Sequence, residues 1–319
     1  MRGLVTGASG FVGQWLCAEL LRRGWEVFGT RLGTETPPGA LDEAQRRAVH
    51  WLACDVTRTG ELRSAIDAAA PDAAFHLAAV AFVPAASADP AAALDVNVVA
   101  AARLLAELGA RRTAGTLDPV VVIVGSGEQY GRHPLEEQPL DERAEQRPLN
   151  TYAASKAAQE VVALAAHRSM GARVVATRSF NHSGPGQEAR FLIPALVRRA
   201  AALRQTRGTV LALGNLTTVR DFLHVADVVR AYVMLAEQGT PGEAYNVASG
   251  VGVDVATVAT RVLALSGVDA KLQVDEALRR PVEVPALIGD ARKLRGAVGW
   301  APQHSLDTVI EDLIRATPR

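Results

Sequence analysis

The 319-residue chain has little cysteine, few aromatic side chains and no charge imbalance, and each shortage narrows what it does. Its two cysteines, Cys17 and Cys54, lack any paired Cys/His spacing, so neither a disulfide framework nor a metal site is expected, and a reducing cytoplasm fits. Lys+Arg and Asp+Glu both number 34. That balance gives no field to hold a long polyanion or an acidic bilayer, so no nucleic-acid or membrane partner is expected and any anion site is local. The longest uncharged stretches, such as residues 77–88, are short and broken by Pro84, too little to span a membrane. The opening residues lack the charged and apolar regions of a signal peptide, so export is not expected. Repeats and low-complexity linkers are missing too, and residues 34–40, with two prolines, read as a surface loop.

What is present is the composition of a folded globular protein, 49% hydrophobic and 21% charged, with the abundant alanine of closely packed helices. The length suits one large α/β unit or two domains sharing a cleft. Apolar runs at 4–5, 25–29, 50–53, 73–77, 120–124 and 173–177 read as strands, and 11–23, 58–69, 90–109 and 149–170 read as helices between them. Parallel strands need long crossovers, so this alternation predicts an α/β fold with a doubly wound parallel sheet, Rossmann-like, covered by helices on both faces. After about residue 180 the pattern loosens into Pro-, Gly- and Arg-rich loops, with helices near 189–204, 224–238 and 254–265. The expected division is a dinucleotide-binding domain over 1–180, to which segments near 215–250 return, and a smaller, partly interleaved α/β substrate lobe over 181–319.

Between the first strand and the first helix, TGASGFVGQWL sets Gly7, Gly10 and Gly13 where missing side chains permit a tight turn, close approach of a pyrophosphate and packing of helix on sheet. The helix N-terminus that follows offers amides and partial positive charge to phosphates. A carboxylate at the end of the second strand would bind an adenosine ribose, but that strand ends Phe28-Gly29-Thr30-Arg31. Arg31 suits the 2′-phosphate of NADP; a solvated loop arginine is the other reading of the same residue. In TYAASK, Tyr152 and Lys156 stand four apart and share one helix face. The ammonium is expected to lower the tyrosine pKa and make the phenol an acid or base near neutrality, while a chance pair on an amphipathic helix is the plain alternative. GSGEQYG, residues 125–131, follows a buried strand and by itself reads as a strand-ending turn.

Taken together, TGASGFVG, CDVTR at 54–58, FHLAA at 75–79, GSGEQYG, the Tyr152/Lys156 pair, RSFNHSGPGQ at 178–187 and VRDFLHVADVVRAY at 219–232 resemble the extended short-chain dehydrogenase/reductase family, the NAD-dependent epimerase/dehydratases that act on sugar nucleotides. The likeness covers nearly the whole chain. It implies Ser126, Tyr152 and Lys156 as a catalytic trio, with Lys156 also on the nicotinamide ribose. It further implies cofactor contacts from Gly7, Gly10, Phe11, Val12, Gly13, Arg31, Asp55 and Val56 toward the adenine end, and Leu77, Ala78 and Ala79 along its length. The cofactor so implied is NADP(H), with NAD(H) the alternative. Relatives of this fold pair as homodimers through a four-helix bundle, which here would be built from 90–109 and 149–170.

RSFNHSGPGQ, GNLTTVRDF and RRPVEVPALIGDARKLRGAVGW are similar to the branch that uses GDP-mannose and its 4-keto-6-deoxy derivative. By that likeness Asn181, Arg220 and Arg280 lie near the diphosphate of a GDP-sugar and Glu283 near the guanosine ribose, while Val80, Ser126 and Glu128 face the sugar. Arginine matches phosphate oxygens with its fork of donors; surface solvation of each arginine, and a rim salt bridge for Glu283, are the plainer readings. His76, His182 and His224 read as packing or hydrogen-bonding residues, and Trp15, Trp25 and Trp51 as core.

Two reactions suit this branch. A dehydratase needs, besides the trio, a base for the C5 proton and an acid for the departing C6 hydroxyl. Such enzymes resemble one another in Thr, then Asp or Ser, then Glu after the strand, whereas this chain reads Ser126-Gly127-Glu128. Gly127 therefore favours reduction of GDP-4-keto-6-deoxy-D-mannose at C4, while Glu128 keeps dehydration or a bifunctional enzyme open. A dinucleotide-sensing protein without catalysis is the reading from another class.

Overall fold

The computed structural model describes residues 1–33, 39–278 and 284–317. Six strands alternate with helices over the first half: β1 (Arg2–Thr6), β2 (Glu26–Arg31), β3 (His50–Ala53), β4 (Ala73–His76), β5 (Val120–Ser126) and β6 (Arg173–Ser179). Seven shorter strands follow: β7 (Asn181–Ser183), β8 (Val210–Leu213), β9 (Val219–His224), β10 (Ala244–Val247), β11 (Gly252–Asp254), β12 (Lys271–Val274) and β13 (Ala286–Leu287). The main sheet has seven strands in the order β10-β6-β5-β4-β1-β2-β3, and every pairing in it is parallel. The chain winds outward from β1 to β3, then returns to β4 on the other side of β1. Strand order thus reverses between β1 and β4, opening a crevice at their carboxyl ends.

Alternation along β5 shows why both faces must be covered. Val120 and Val122 pack with Leu16 and Leu20 of the helix Phe11–Arg22 and with Val228, Tyr232 and Leu235 of the helix Val225–Gln238. Val121 and Ile123 turn the other way, onto Leu62 and Ile66 of Thr59–Ala69, Leu104 and Leu108 of Ala100–Thr113, and Ala163 of Thr151–Met170. The alanines of that last helix allow it to lie close on the sheet. A third apolar cluster is separate: Ile193 and Leu196, Val258 and Val262, and Ile310 and Leu313 come from the helices Leu192–Thr206, Val255–Leu265 and Leu306–Ala316. Beside it lie the β8/β12 pair and a small sheet in which β9 pairs with β7, β11 and β13.

The doubly wound sheet is as expected, but two features differ from the sequence reading. Residues 90–109 are not one continuous helix: Pro90–Leu94 runs into a π-helical turn, Asp95–Val99, before Ala100–Thr113. The widened turn carries Asn97, fully buried and bonded to two other segments, and such side-chain ties reset a helix's register. β10, from the late segment near 215–250, joins the main sheet beside β6. The C-terminal helices Arg292–Val298 and Leu306–Ala316 were not anticipated, and Trp300 between them is completely buried, its Nε1–H donating to Asp227 O. Trp25 is in the core, and Trp15 and Trp51 pack against it. Among the described residues no helix is long and apolar enough to cross a membrane.

Candidate active site

After β1 the backbone makes a glycine turn whose three glycines do different work. Gly7 has φ +71°, and a Cβ there would stand 2.9 Å from the Ala78 backbone. A Cβ on Gly13 would run into the Gly7 carbonyl and lie 2.7 Å from Ala8 Cα. The protein's own backbone demands both. Gly10 is exposed, and the nearest atom to a Cβ there would be the Gly7 oxygen at 3.3 Å. It is the N-cap of the helix Phe11–Arg22, with no side-chain cap and no acidic residue in the first turn. Free first-turn amides at the crevice, bordered by a bare glycine, fit a pyrophosphate. Phe11 and Val12 open that helix half-buried, and Phe11 stacks on His182.

The turn is tied to its neighbours. Gly7 N–H donates to Thr30 Oγ1 and Ala8 N–H to Thr30 O, so the end of β2 lies alongside. Arg31 is the next residue, with its guanidinium 5.3 Å from the centre of the Trp51 ring. Asp55 follows β3; its carboxylate accepts from Thr57 N–H at 2.9 Å and Thr57 Oγ1 at 2.7 Å, and these bonds hold it below the usual aspartate range. Val56 points into the second core cluster. Across the crevice, Leu77 and Ala78 donate their N–H groups to Thr6 Oγ1, and Ala79 and Val80 continue the loop. The buried His76 bonds Thr6 Oγ1 through Nδ1 at 2.9 Å while its Nε2 has no partner among the described residues. Burial first, and then the Lys156 charge, pull His76 down to about 3.

Ser126 ends β5, and Tyr152 and Lys156 lie on the helix Thr151–Met170, which starts at Asn150, whose side chain caps Ala153 N–H. The Tyr152 hydroxyl lies near enough to the Ser126 side chain for the serine to favour its ionised form. The expectation that Lys156 lowers the Tyr152 pKa is corrected here. Burial raises the phenol to about 12, the Ser126 side chain opposes that rise and the Glu128 charge adds to it. The ammonium is occupied elsewhere: Lys156 Nζ donates to Val124 O at 2.7 Å and to Gln159 Oε1 at 3.0 Å, and burial lowers it to about 7. Tyr152 therefore carries its proton at neutral pH. Glu128, half-buried, stands in the turn that Ser126 caps by accepting from Glu128 N–H at 3.2 Å. Gly127 has a packing reason as well, since a Cβ there would lie 3.1 Å from the Phe180 ring.

Further residues that sequence reasoning did not single out hold this centre. Asn97 accepts from Val80 N–H at 2.7 Å, donates to Val80 O at 3.3 Å and donates to Ser155 Oγ at 2.8 Å, joining the loop after β4 to the helix of Tyr152. An amide inside the apolar run DVNVV was the available signal. Tyr232, wholly buried, shares a 2.6 Å bond with Ser179, whose Cα pairs with Ser126. Gln129, Glu160 and Arg178 form a buried polar ladder beneath Ser126.

On the substrate side, Asn181 starts β7 one residue after Phe180, which packs on Gly127. Arg220 lies on β9, with Nη1 donating to Val219 O and Val284 O at 2.8 Å each. Arg280 and Glu283 lie outside the described residues. His182 bonds Phe180 O, and His224 caps the helix Val225–Gln238 through Ala226 N–H while contacting Asp312. These are structural bonds, in keeping with the packing role expected of both.

Comparison with known proteins fits this geometry. The family model described as GDP-mannose 4,6 dehydratase matches residues 4–313. GDP-6-deoxy-D-mannose reductase of Pseudomonas aeruginosa is 32% identical over 316 residues, covering 98% of this chain and 96% of its own. GDP-mannose 4,6 dehydratase 2 of Arabidopsis thaliana is 28% identical, covering 98% and 85%. Among solved structures, RMD from Pseudomonas aeruginosa complexed with NADPH superposes with a TM-score of 0.83 at 29% identity, covering 99% of this chain and 98% of that one.

Proposed function

The chain belongs to the GDP-mannose 4,6-dehydratase family, and from that premise we propose that it is an NADPH-dependent reductase of GDP-4-keto-6-deoxy-D-mannose, forming GDP-D-rhamnose. The observation that carries this reading is the placement of Tyr152 beside Ser126 and one turn from Lys156 at the carboxyl edge of the sheet, with burial raising the phenol so that it keeps its proton. Ketone reduction needs a proton donor at the reacting oxygen, and a phenol held near 12 is a donor at neutral pH; oxidation of an alcohol, the first step of dehydration, needs the same group as a base. NADPH, when bound, supplies the hydride. Ser126 Oγ donates a hydrogen bond to the ketone oxygen, Tyr152 transfers its proton there as the C4 hydroxyl forms, and the phenolate left behind regains a proton from water. Lys156, buried one turn away, holds the ribose beside the nicotinamide.

The exposed Gly10 and the uncapped helix behind it are assigned to the pyrophosphate, with Phe11, Val12, Leu77, Ala78 and Ala79 alongside. Arg31 on Trp51 favours the 2′-phosphate of NADP(H) over NAD(H), and Asp55 and Val56 border the adenine. Val80, Asn181, Arg220 and Glu128 are assigned to the GDP-sugar. The cofactor part is residues 1–180 with 215–250 returned to it. Both cysteines are free and buried, in keeping with residence in the cytoplasm. Leu94, Val99 and Val161 leave large apolar side chains exposed on the segments proposed to form a homodimeric four-helix bundle; light scattering at micromolar concentration tests that pairing.

Glu128 favours the second reading, GDP-mannose 4,6-dehydration, because its carboxylate is near enough to raise the Tyr152 pKa and could take a C5 proton. An assay of NADPH absorbance with each GDP-sugar separates the two. The reductase consumes one NADPH per ketone reduced. Turnover of GDP-mannose with no net NADPH loss would establish the dehydratase, and no turnover of any sugar nucleotide would leave a dinucleotide sensor.

A further inference from the structure

The turn after β5 is held from below by side chains that the proposed chemistry does not use. Ser126 N–H donates to Gln129 Oε1 at 2.7 Å, and Gln129 Nε2 donates to Glu160 Oε2 at 3.0 Å and to Gln146 Oε1 at 3.3 Å. Glu160 also accepts from Arg178 Nε at 2.9 Å and Nη2 at 2.7 Å, and from Gln146 Nε2 at 2.8 Å. Gln129 is 0% exposed, Glu160 4% and Arg178 6%, so these bonds have no water to replace them. Glu160 is one turn beyond Lys156 on the helix that carries Tyr152. A single carboxylate therefore joins that helix, β6 and the Ser126 turn. Room for the amide is made by Gly125, where a Cβ would run into Gln129 Oε1 and the Thr177 carbonyl.

A carboxamide presents an acceptor to Ser126 and a donor to Glu160 at once, and does so at every pH. A carboxylate in the same place would set two anions side by side in a buried site. We propose that Gln129 is a positioning residue, fixing the Ser126 backbone through Glu160 so that the serine hydroxyl is registered with Tyr152 on the neighbouring helix. Its turnover arm rests on the reductase reading; its structural arm does not.

The test compares Gln129→Leu and Gln129→Glu in the full chain, by NADPH oxidation with GDP-4-keto-6-deoxy-D-mannose and by hydrogen exchange at the Ser126 amide without substrate. Gln129→Leu should lose about ten- to hundredfold in kcat at every pH with KM nearly unchanged, and exchange at Ser126 should accelerate by a similar factor. Gln129→Glu should match that loss at alkaline pH and recover as pH falls, because the protonated acid restores both the acceptor and the donor. Structural damage alone would give no such limb. Wild-type kcat in Gln129→Glu across the pH range with unchanged Ser126 exchange would overturn the proposal, as would a rise in KM with kcat held. Should Gln129→Leu fail to fold, Gln129→Glu decides by itself. Should the wild type not reduce the ketone, the reductase reading fails, and the exchange rates still decide: faster exchange in the variants upholds the positioning role and unchanged exchange rejects it.

Discussion

After β1 the chain turns on glycines, and after β5 it turns on side chains. In the first turn Gly7 and Gly13 are required by the backbone of Ala78 and Ala8, and the surface offered outward is peptide N–H. In the second, Ser126 and Gln129 cap the start of a four-residue 3-10 turn reciprocally, and the serine hydroxyl stands beside a phenol. A turn built from backbone presents fixed dipoles and has no room for a side chain at Gly7 or Gly13, which suits a cofactor portion that does not change during reaction. A turn built from side chains can be tuned in proton affinity, which suits the reacting atoms.

The largest expected effect bears on the second turn. Tyr152→Phe removes the proton donor and should lower kcat by about 10² to 10⁴ while leaving NADPH affinity nearly unchanged; a variant with wild-type turnover would break the comparison, because the second turn would then have no chemical task. The first turn is sharpened by two alanines. Gly13→Ala drives a methyl into the backbone and should cost about 3 kcal/mol of stability in denaturant titration. Gly10→Ala meets little protein, so the fold should survive with NADPH binding weakened at least about tenfold; equal damage to stability from both would remove the distinction drawn between them.

Arg31→Ala is expected to weaken NADPH about tenfold by fluorescence titration and to leave NADH unchanged, extending the first turn's task to the 2′-phosphate. Loss of both cofactors alike would return Arg31 to a packing role on Trp51. The remaining expectation is a pH dependence of stability at His76, which bonds Thr6 below the first turn and feels the charge of Lys156 below the second. Its folded pKa is depressed from 6.5 to about 3, so between those values the unfolded chain binds the proton and the folded chain does not. Stability tied to neutral His76 is complete above 6.5 and is lost as pH falls toward 3. The stability gap between wild type and His76→Leu should therefore narrow over that window in urea unfolding, and a constant gap would show that His76 does not titrate there.

The glycine turn and the strands of the doubly wound sheet were readable from the residues because each rests on a local constraint. Only glycine fits beside Ala78 and Ala8, and only β-branched runs such as 120–124 suit strands covered on both faces. Tyr152 and Lys156 were visible for the same reason, one turn apart on a helix. The direction of the Tyr152 pKa was not, because it depends on how deeply the fold buries the phenol, and Lys156 is engaged by Val124 O, a contact across 32 positions. Likewise the π-helical turn at Asp95–Val99 has no signature in a run of helix-compatible residues, and Asn97 gains its meaning from Val80 and Ser155. Gln129 and Glu160 stand 31 positions apart and look like ordinary surface residues until the fold buries them together.

One consequence of the sheet order concerns biosynthesis. β10, residues 244–247, lies next to β6, and the helix Val225–Gln238 seals one face of the strands made first. A nascent chain that had emerged only to residue 180 would expose β6 as an unprotected edge and leave the face of β5 carrying Val122 without its cover from Val228, Tyr232 and Leu235, the kind of surface on which chains aggregate. Completion of the nucleotide half must wait until about three-quarters of the message has been read, and a recombinant fragment cut at residue 180 should be recovered in inclusion bodies.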